Sequence, residues 1–249
     1  MPRKVASDSV PAYRRVADEL RRDIMSGAVA PGGRLASEAR LAERFGVSRS
    51  SIREALRILA SERLINTTRG ATGGSTVQRL EPRDVVAQLR TSIGALVSAN
   101  GCSNDEMDEV RELLEVTGAF LAAQRRTPMD LDRMRSSIPA DARSVPIDIQ
   151  RAMNLEFHYA ILAATGNRLL HVFGEPVSDV IYARFRGKDH DLAYFGRMLD
   201  DHRAILAAIE GRDRGAARRA MASHLLHIRA GTTTGQPALL LDGLAFDPT

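Results

Sequence analysis

The chain has 249 residues, enough for two modest domains or one large one, and its 44% hydrophobic and 27% charged residues describe an ordinary globular protein. No apolar run reaches the roughly 18–20 residues that span a bilayer, and "MPRKVASDSVPAYRR" lacks the apolar stretch of a secretion signal. The single Cys102 excludes an intrachain disulfide framework, so a cytoplasmic protein with no membrane partner is expected. The net charge of +4 is unevenly spread: residues 1–80 carry 15 Lys and Arg against 8 Asp and Glu, and the remainder 20 against 23. A polyanion partner is expected of the first part alone, and a solvated basic face is the alternative.

In chain order, residues 1–10 read as a flexible tail. "VPAYRRVADELRRDIMSG" follows with Val16, Leu20 and Ile24 every fourth residue, a helical stripe that Gly27 stops. Ser37 is the expected cap of a second short helix with Leu41, Ala42 and Phe45 on its apolar side. Gly46 breaks it, and Ser48 caps a third helix whose Ile52, Ala55, Leu56 and Leu59 face inward. "LINTTRGATGGSTVQ" predicts two short strands around a tip at residues 69–74. Residues 11–80 therefore predict a winged helix-turn-helix, a DNA-binding unit.

Arg49, Ser50 and Arg53 fall in the first turns of the third helix, where a recognition helix approaches base edges, and Arg57 continues the stripe. Arginine is the side chain suited to bidentate contact with guanine. Arg69 and Gly70 at the wing tip are further candidates for a DNA contact. An exposed arginine face on an ordinary helix is the bland alternative.

After Glu81-Pro82 only helical periodicities continue, broken at "ANGCSND", "RRTPMD", "IPADARSVP", "TGN", "RGKDHD" and "EGRDRG". Residues 81–231 predict an all-α bundle of six or seven helices, so the fold class is mainly α. The tail 232–249, "TTTGQPALLLDGLAFDPT", has apolar residues without a clear period.

Six histidines lie in the bundle segment. His190 sits in the polar "GKDHD" and reads as a solvated surface residue, and His171 and His227 show no clear partner, so neither is read as part of a site. His158, His202 and His224 each fall on the inner face of a different helix, with Asn154 one turn before His158. One such histidine is ordinarily a satisfied core residue. Three together predict a metal site, since bundles build such sites from inward side chains on facing helices.

The segment "LRRDIMSGAVAPGGRLASEARLAERFGVSRSSIREALRILASERLI" resembles the DNA-binding domain of the GntR family. The family's arginine after Ser-Glu is Ala39 here, and Arg40 beside it is the nearest guanidinium. One helical step turns a side chain by about 100°, so either that DNA contact is lost or the target sequence differs. By resemblance, Arg49, Arg53 and the wing near Arg69 and Gly70 carry the other DNA contacts.

"VRELLEVTGAFLAAQR", "FHYAILAATGN" and "HRAILAAIEGRDRGAARRAMASHL" are similar to the FCD effector domain of the FadR-like branch of that family. The resemblance implies Asn154, His158, His202 and His224 as ligands of a divalent transition metal (zinc, nickel, iron or manganese), with Asn in place of the family's Asp. Four neutral ligands leave the ion's charge uncompensated, which predicts weak metal binding or an empty site, and more reliance on an anionic effector. The resemblance also implies a small carboxylate effector held by Arg111, whose other reading is a surface ion pair with Glu115 at i+4 worth a few tenths of a kcal/mol.

The expectation is a homodimeric transcription regulator, in the usual family sense a repressor, that reads a short inverted repeat in double-stranded DNA. Two rivals stand beside it. One is a sensor for which the ion itself is the signal. The other is a metal-dependent hydrolase, which lacks a base because Glu156 lies off the ligand face; an enzyme is not expected.

Overall fold

The computed structural model describes residues 10–68, 70, 73–183 and 192–232. The chain divides into two compact units, Met1–Glu81 and Pro82–Thr249.

In the first unit, α1 (Ala12–Met25) buries Val16, Ala17 and Leu20. Ser37 starts α2 (Glu38–Phe45) by accepting the Arg40 amide at 3.4 Å, and Gly46 ends it in the left-handed conformation at φ 63°. Two residues later Ser48 accepts the Ser51 amide at 3.2 Å and starts α3 (Arg49–Ser61). The two serines and the glycine set the tight turn between the helices.

Strand β1 (Ile65–Thr68) pairs antiparallel with β2 (Gly74–Val77), and Ile65 stands opposite Val77. Arg34 adds a single bridge to Thr76. Leu20, Leu41, Ile52, Leu59 and Ile65 are at most 2% exposed and form one core with Leu35 and Val77. Each large aliphatic so buried contributes about 1.5–3 kcal/mol.

The second unit contains seven helices among the described residues: α4 (Pro82–Ser98), α5 (Asn104–Arg125), α6 (Pro128–Ser136), α7 (Ile147–Ala164), α8 (Arg168–Ala183), α9 (Leu192–Glu210) and α10 (Arg214–Thr232). Ser103 with Glu106, and Thr127 with Asp130, close reciprocal capping boxes that fix the starts of α5 and α6. Central helix α5 packs against α7, α8, α9 and α10, and α4 packs against α8. Its buried Gly118, Ala119, Ala122 and Ala123 let the neighbours approach closely. Phe157, Ile161, Ile205, Ile209 and Met221 fill the core around that seam. The helix count and the mainly α class agree with the sequence reading. The wing's Arg69, the loop's His190 and the tail 233–249 lie outside the described residues.

Candidate metal and effector site, and the DNA-reading face

Helix α7 carries Asn154 and His158 one turn apart, α9 carries His202, and α10 carries His224. All four side chains are buried, none in a residue more than 4% exposed. One nitrogen from each imidazole lies within 4.8 Å of the others. Ring centroids are 5.3 Å apart for His158–His202 and His158–His224, and 4.8 Å for His202–His224. The Phe157 ring stacks on His202 at 4.2 Å and holds its plane.

The polar ends of this group are unmatched. His158 Nε2, both nitrogens of His202, His224 Nε2 and Asn154 Oδ1 are buried without a hydrogen-bond partner. An unsatisfied buried polar atom costs about 1–3 kcal/mol, so several facing one another are not a satisfied core. Burial drives His202 well below the usual histidine pKa, helped by the charges His224, His158 and Arg111 would place nearby. Burial likewise lowers His224, to about 4, although Asp201 pulls the other way. Neutral imidazoles with bare lone pairs are the metal-binding form. Three nitrogens and an amide oxygen suit a divalent first-row transition ion, so the residues fit such a group.

Behind these donors stand two carboxylates. Glu115 Oε2 lies 2.8 Å from His158 Nδ1, somewhat off the line of the N–H. Glu115 Oε1 accepts from Arg111 Nε at 3.0 Å and from the Ser178 hydroxyl at 2.9 Å. Arg111 also donates to the Tyr182 hydroxyl at 2.7 Å and lies over that ring at 5.0 Å. Burial alone would raise the Glu115 carboxyl, but the Arg111 guanidinium beside it, with the His158 contact helping, outweighs burial and holds it well below the carboxylate range. Asp201 Oδ2 lies 3.3 Å from His224 Nδ1 and 3.0 Å from His227 Nδ1.

Several sequence expectations change. The Arg111–Glu115 pair is not a surface pair, since the two residues are 3% and 1% exposed. Losing one partner of such a pair costs on the order of 3–5 kcal/mol rather than tenths. Nor would an ion in this site stand uncompensated, because Glu115 and Asp201 sit directly behind two of the four donors. His227 pairs with Asp201, and His171 Nε2 lies 3.1 Å from Glu175 Oε2, so neither lacks a partner. Glu156 pairs with Arg133 on the exposed side of α7 at 2.5 Å, away from the donors.

Sequence reasoning missed Asp201, Ser178 and Tyr182. Asp201 directly precedes His202, and that adjacency was the one available signal. Ser178 and Tyr182 share a face of α8 by their i, i+4 spacing but carry no motif.

On the first unit, α2, α3 and the wing enclose a concave surface of about 1200 Å³. Arg34, Arg40, Arg53, Arg57 and Gly70 are among its walls, while Arg49 and Ser50 are exposed on the first turn of α3 outside it. Arg53 is held by Glu38 at 2.8 Å and Arg57 by Glu54 at 3.0 Å. Arg34, not singled out from the sequence, bonds the Gly73 carbonyl at the wing. Ala39 lies exposed on α2 between Glu38 and Arg40.

A capped helix-turn-helix with a basic concave face and a two-stranded wing, followed by a helical unit with a buried polar cluster, defines a DNA-binding transcription regulator. Residues 12–73 match the model of bacterial regulatory proteins of the gntR family, and residues 106–227 match the FCD domain. The chain belongs to the GntR family, in the group that carries an FCD domain.

It is 31% identical to the galactonate operon transcriptional repressor of Escherichia coli K12, over 83% of this chain and 90% of that one. It is 29% identical to the HTH-type transcriptional regulator LutR of Bacillus subtilis 168, over 82% of this chain and 94% of that one. The solved structure of Streptococcus agalactiae GntR has the same fold, with TM-score 0.59 and 24% identity, covering 88% of this chain and all but 1% of that one. These relatives are transcriptional regulators, and this chain is one too, not an enzyme. No helix among the described residues is long and apolar enough to cross a membrane.

Proposed function

We propose that this regulator is a homodimeric repressor whose hold on a short inverted repeat is released by a small carboxylate metabolite. The carboxylate would bind at a divalent transition metal held by Asn154, His158, His202 and His224. The observation that carries this reading is the cluster of buried imidazole nitrogens within 4.8 Å, three of them from different helices and without hydrogen-bond partners. When bound, the ion supplies a Lewis-acidic centre that accepts a carboxylate oxygen.

The chain's own residues supply the rest. Arg111 is fixed between Glu115 and Tyr182 on the α5–α8 side of the site, where a guanidinium favours an anion. The galactonate operon repressor is named for an operon of a hydroxy carboxylate, which supports the same ligand class. Two copies of the DNA-reading face would address half-sites about one helical turn apart. The ligand must favour one arrangement of the dimer, since a ligand shifts only the equilibrium between states it binds unequally.

Elemental analysis of untagged protein, purified without chelator beside His158→Ala, tests the metal. Near-stoichiometric metal in the parent and its loss in the variant is the expected result. Absence of metal from the parent removes this reading and redirects the ligand search to neutral compounds. The Glu115 and Asp201 carboxylates behind the donors favour ion binding in its own right, which keeps the ion-as-signal reading in view. Operator affinity that follows Zn2+ with no organic acid present would select that second reading. Affinity that changes only when a carboxylate is added selects the first.

A further inference from the structure

Glu115 is a charged group that touches both halves of the proposed site. Its Oε2 meets His158 Nδ1 at 2.8 Å, and its Oε1 accepts from Arg111 and Ser178. The contact lies off the N–H line and neither atom has another hydrogen-bond partner, but a carboxylate has only acceptors, so lone-pair repulsion at 2.8 Å is avoided when Nδ1 carries the proton. With Nδ1 protonated, a neutral His158 keeps its bare lone pair on Nε2, the atom left unmatched inside the cluster. Asn154, the fourth donor, brings no charge, and Glu115 is a buried carboxylate 2.8 Å behind His158.

We infer that Glu115 is the positioning residue that sets the His158 tautomer and supplies the negative charge Asn154 lacks, so that it joins metal occupancy to the placement of Arg111. This rests on the metal reading above for its second half and on geometry alone for its first. Orientation of a ligating histidine by a carboxylate behind it is a general device, and its removal ordinarily weakens metal binding 10- to 100-fold.

The substitution Glu115→Gln tests it because the orientation of the new amide is dictated. Arg111 can only donate, so the amide oxygen must face Arg111 and the amide N–H groups must face His158. The ring is then forced to accept at Nδ1 and to carry its proton on Nε2, where it blocks a ligand position. Long-range proton–nitrogen spectra of the imidazoles in metal-free full-length protein report the tautomer directly. Zn2+ affinity is read by competition with a chromophoric chelator.

The expected result is Nδ1–H on His158 in the parent, Nε2–H in Glu115→Gln, and Zn2+ affinity lowered about 10- to 100-fold. Asn154→Asp should restore part of that affinity in the double variant without restoring the tautomer. An unchanged tautomer together with unchanged Zn2+ affinity in Glu115→Gln overturns the inference. A parent that binds no Zn2+ but still shows the tautomer change rejects the metal reading and leaves the positioning role in place. Should Glu115→Gln fail to fold, Arg111→Met/Glu115→Leu removes the buried cation and anion together. The same loss of the Nδ1–H form and of Zn2+ affinity is expected there, and their retention overturns the inference.

Discussion

At the scale of single residues, burial and partner chemistry decide what each group does. Gly74 illustrates steric necessity: its φ of 149° lies where side chains are rarely tolerated, and an added Cβ would lie 2.9 Å from the Arg34 guanidinium. Gly74→Ala should therefore destabilise the wing by about 1–3 kcal/mol and weaken operator binding. A melting curve and a gel-shift titration check this, and Arg34→Ala should relieve the contact but not the backbone strain. The buried histidines illustrate the electrostatic side. In metal-stripped protein His224 and His202 stay neutral to lower pH than they do in the unfolded chain. The unfolded state then binds more protons, so stability falls as pH drops below about 6.5, by about 1.4 kcal/mol per pH unit for each such group, until the folded values are reached. Denaturant melts between pH 7.5 and 4.5 should show that decline, and a flat profile would mean that the rings are protonated in the native state.

At the scale of elements, helix–helix distance around Leu162 is the controlling quantity. A Cβ on Gly174 of α8 would lie 2.5 Å from a Leu162 methyl, and one on Gly118 of α5 would lie 3.1 Å from the other. Both neighbouring helices thus rest against one α7 side chain. Gly174→Ala should cost about 1–3 kcal/mol by overpacking. Leu162→Ala combined with it should cost less than the sum of the two single changes, because the second substitution vacates the space the first one needs. A double-mutant cycle on thermal unfolding reads this directly. Because α8 also carries Ser178 and Tyr182, the same displacement should loosen the Glu115 and Arg111 contacts.

At the scale of the whole molecule, charge is segregated by unit. The excess of Lys and Arg in residues 1–80 suits a polyanion such as DNA, while the mildly acidic remainder does not. Operator affinity should fall steeply with salt, and each lost phosphate contact should make that slope shallower by about one. Arg40→Ala, on the wall of the concavity, is expected to act in this way. Arg49→Ala, at the exposed start of α3, is expected to relax sequence preference by about 1–3 kcal/mol at one base pair. Titrations at two salt concentrations, on operator and on a single-base variant, separate the two effects.

What the sequence by itself determined was local. Ser37, Gly46 and Ser48 dictate a short turn through caps and one left-handed residue, and the period of Ile52, Ala55, Leu56 and Leu59 dictates which face is buried. The inward placement of His158, His202 and His224 followed from the same periodicity. Only the tertiary structure decided that these rings converge, because convergence depends on how α7, α9 and α10 are set by the alanine-lined seam of α5. It also decided that Glu115 backs His158 and that Asp201 joins His224 to His227. Those contacts link residues 23 to 43 positions apart across different helices. Periodicity within one helix carries no information about which partner the facing helix presents, and that is why the inward-facing histidines were legible and the carboxylates beside them were not.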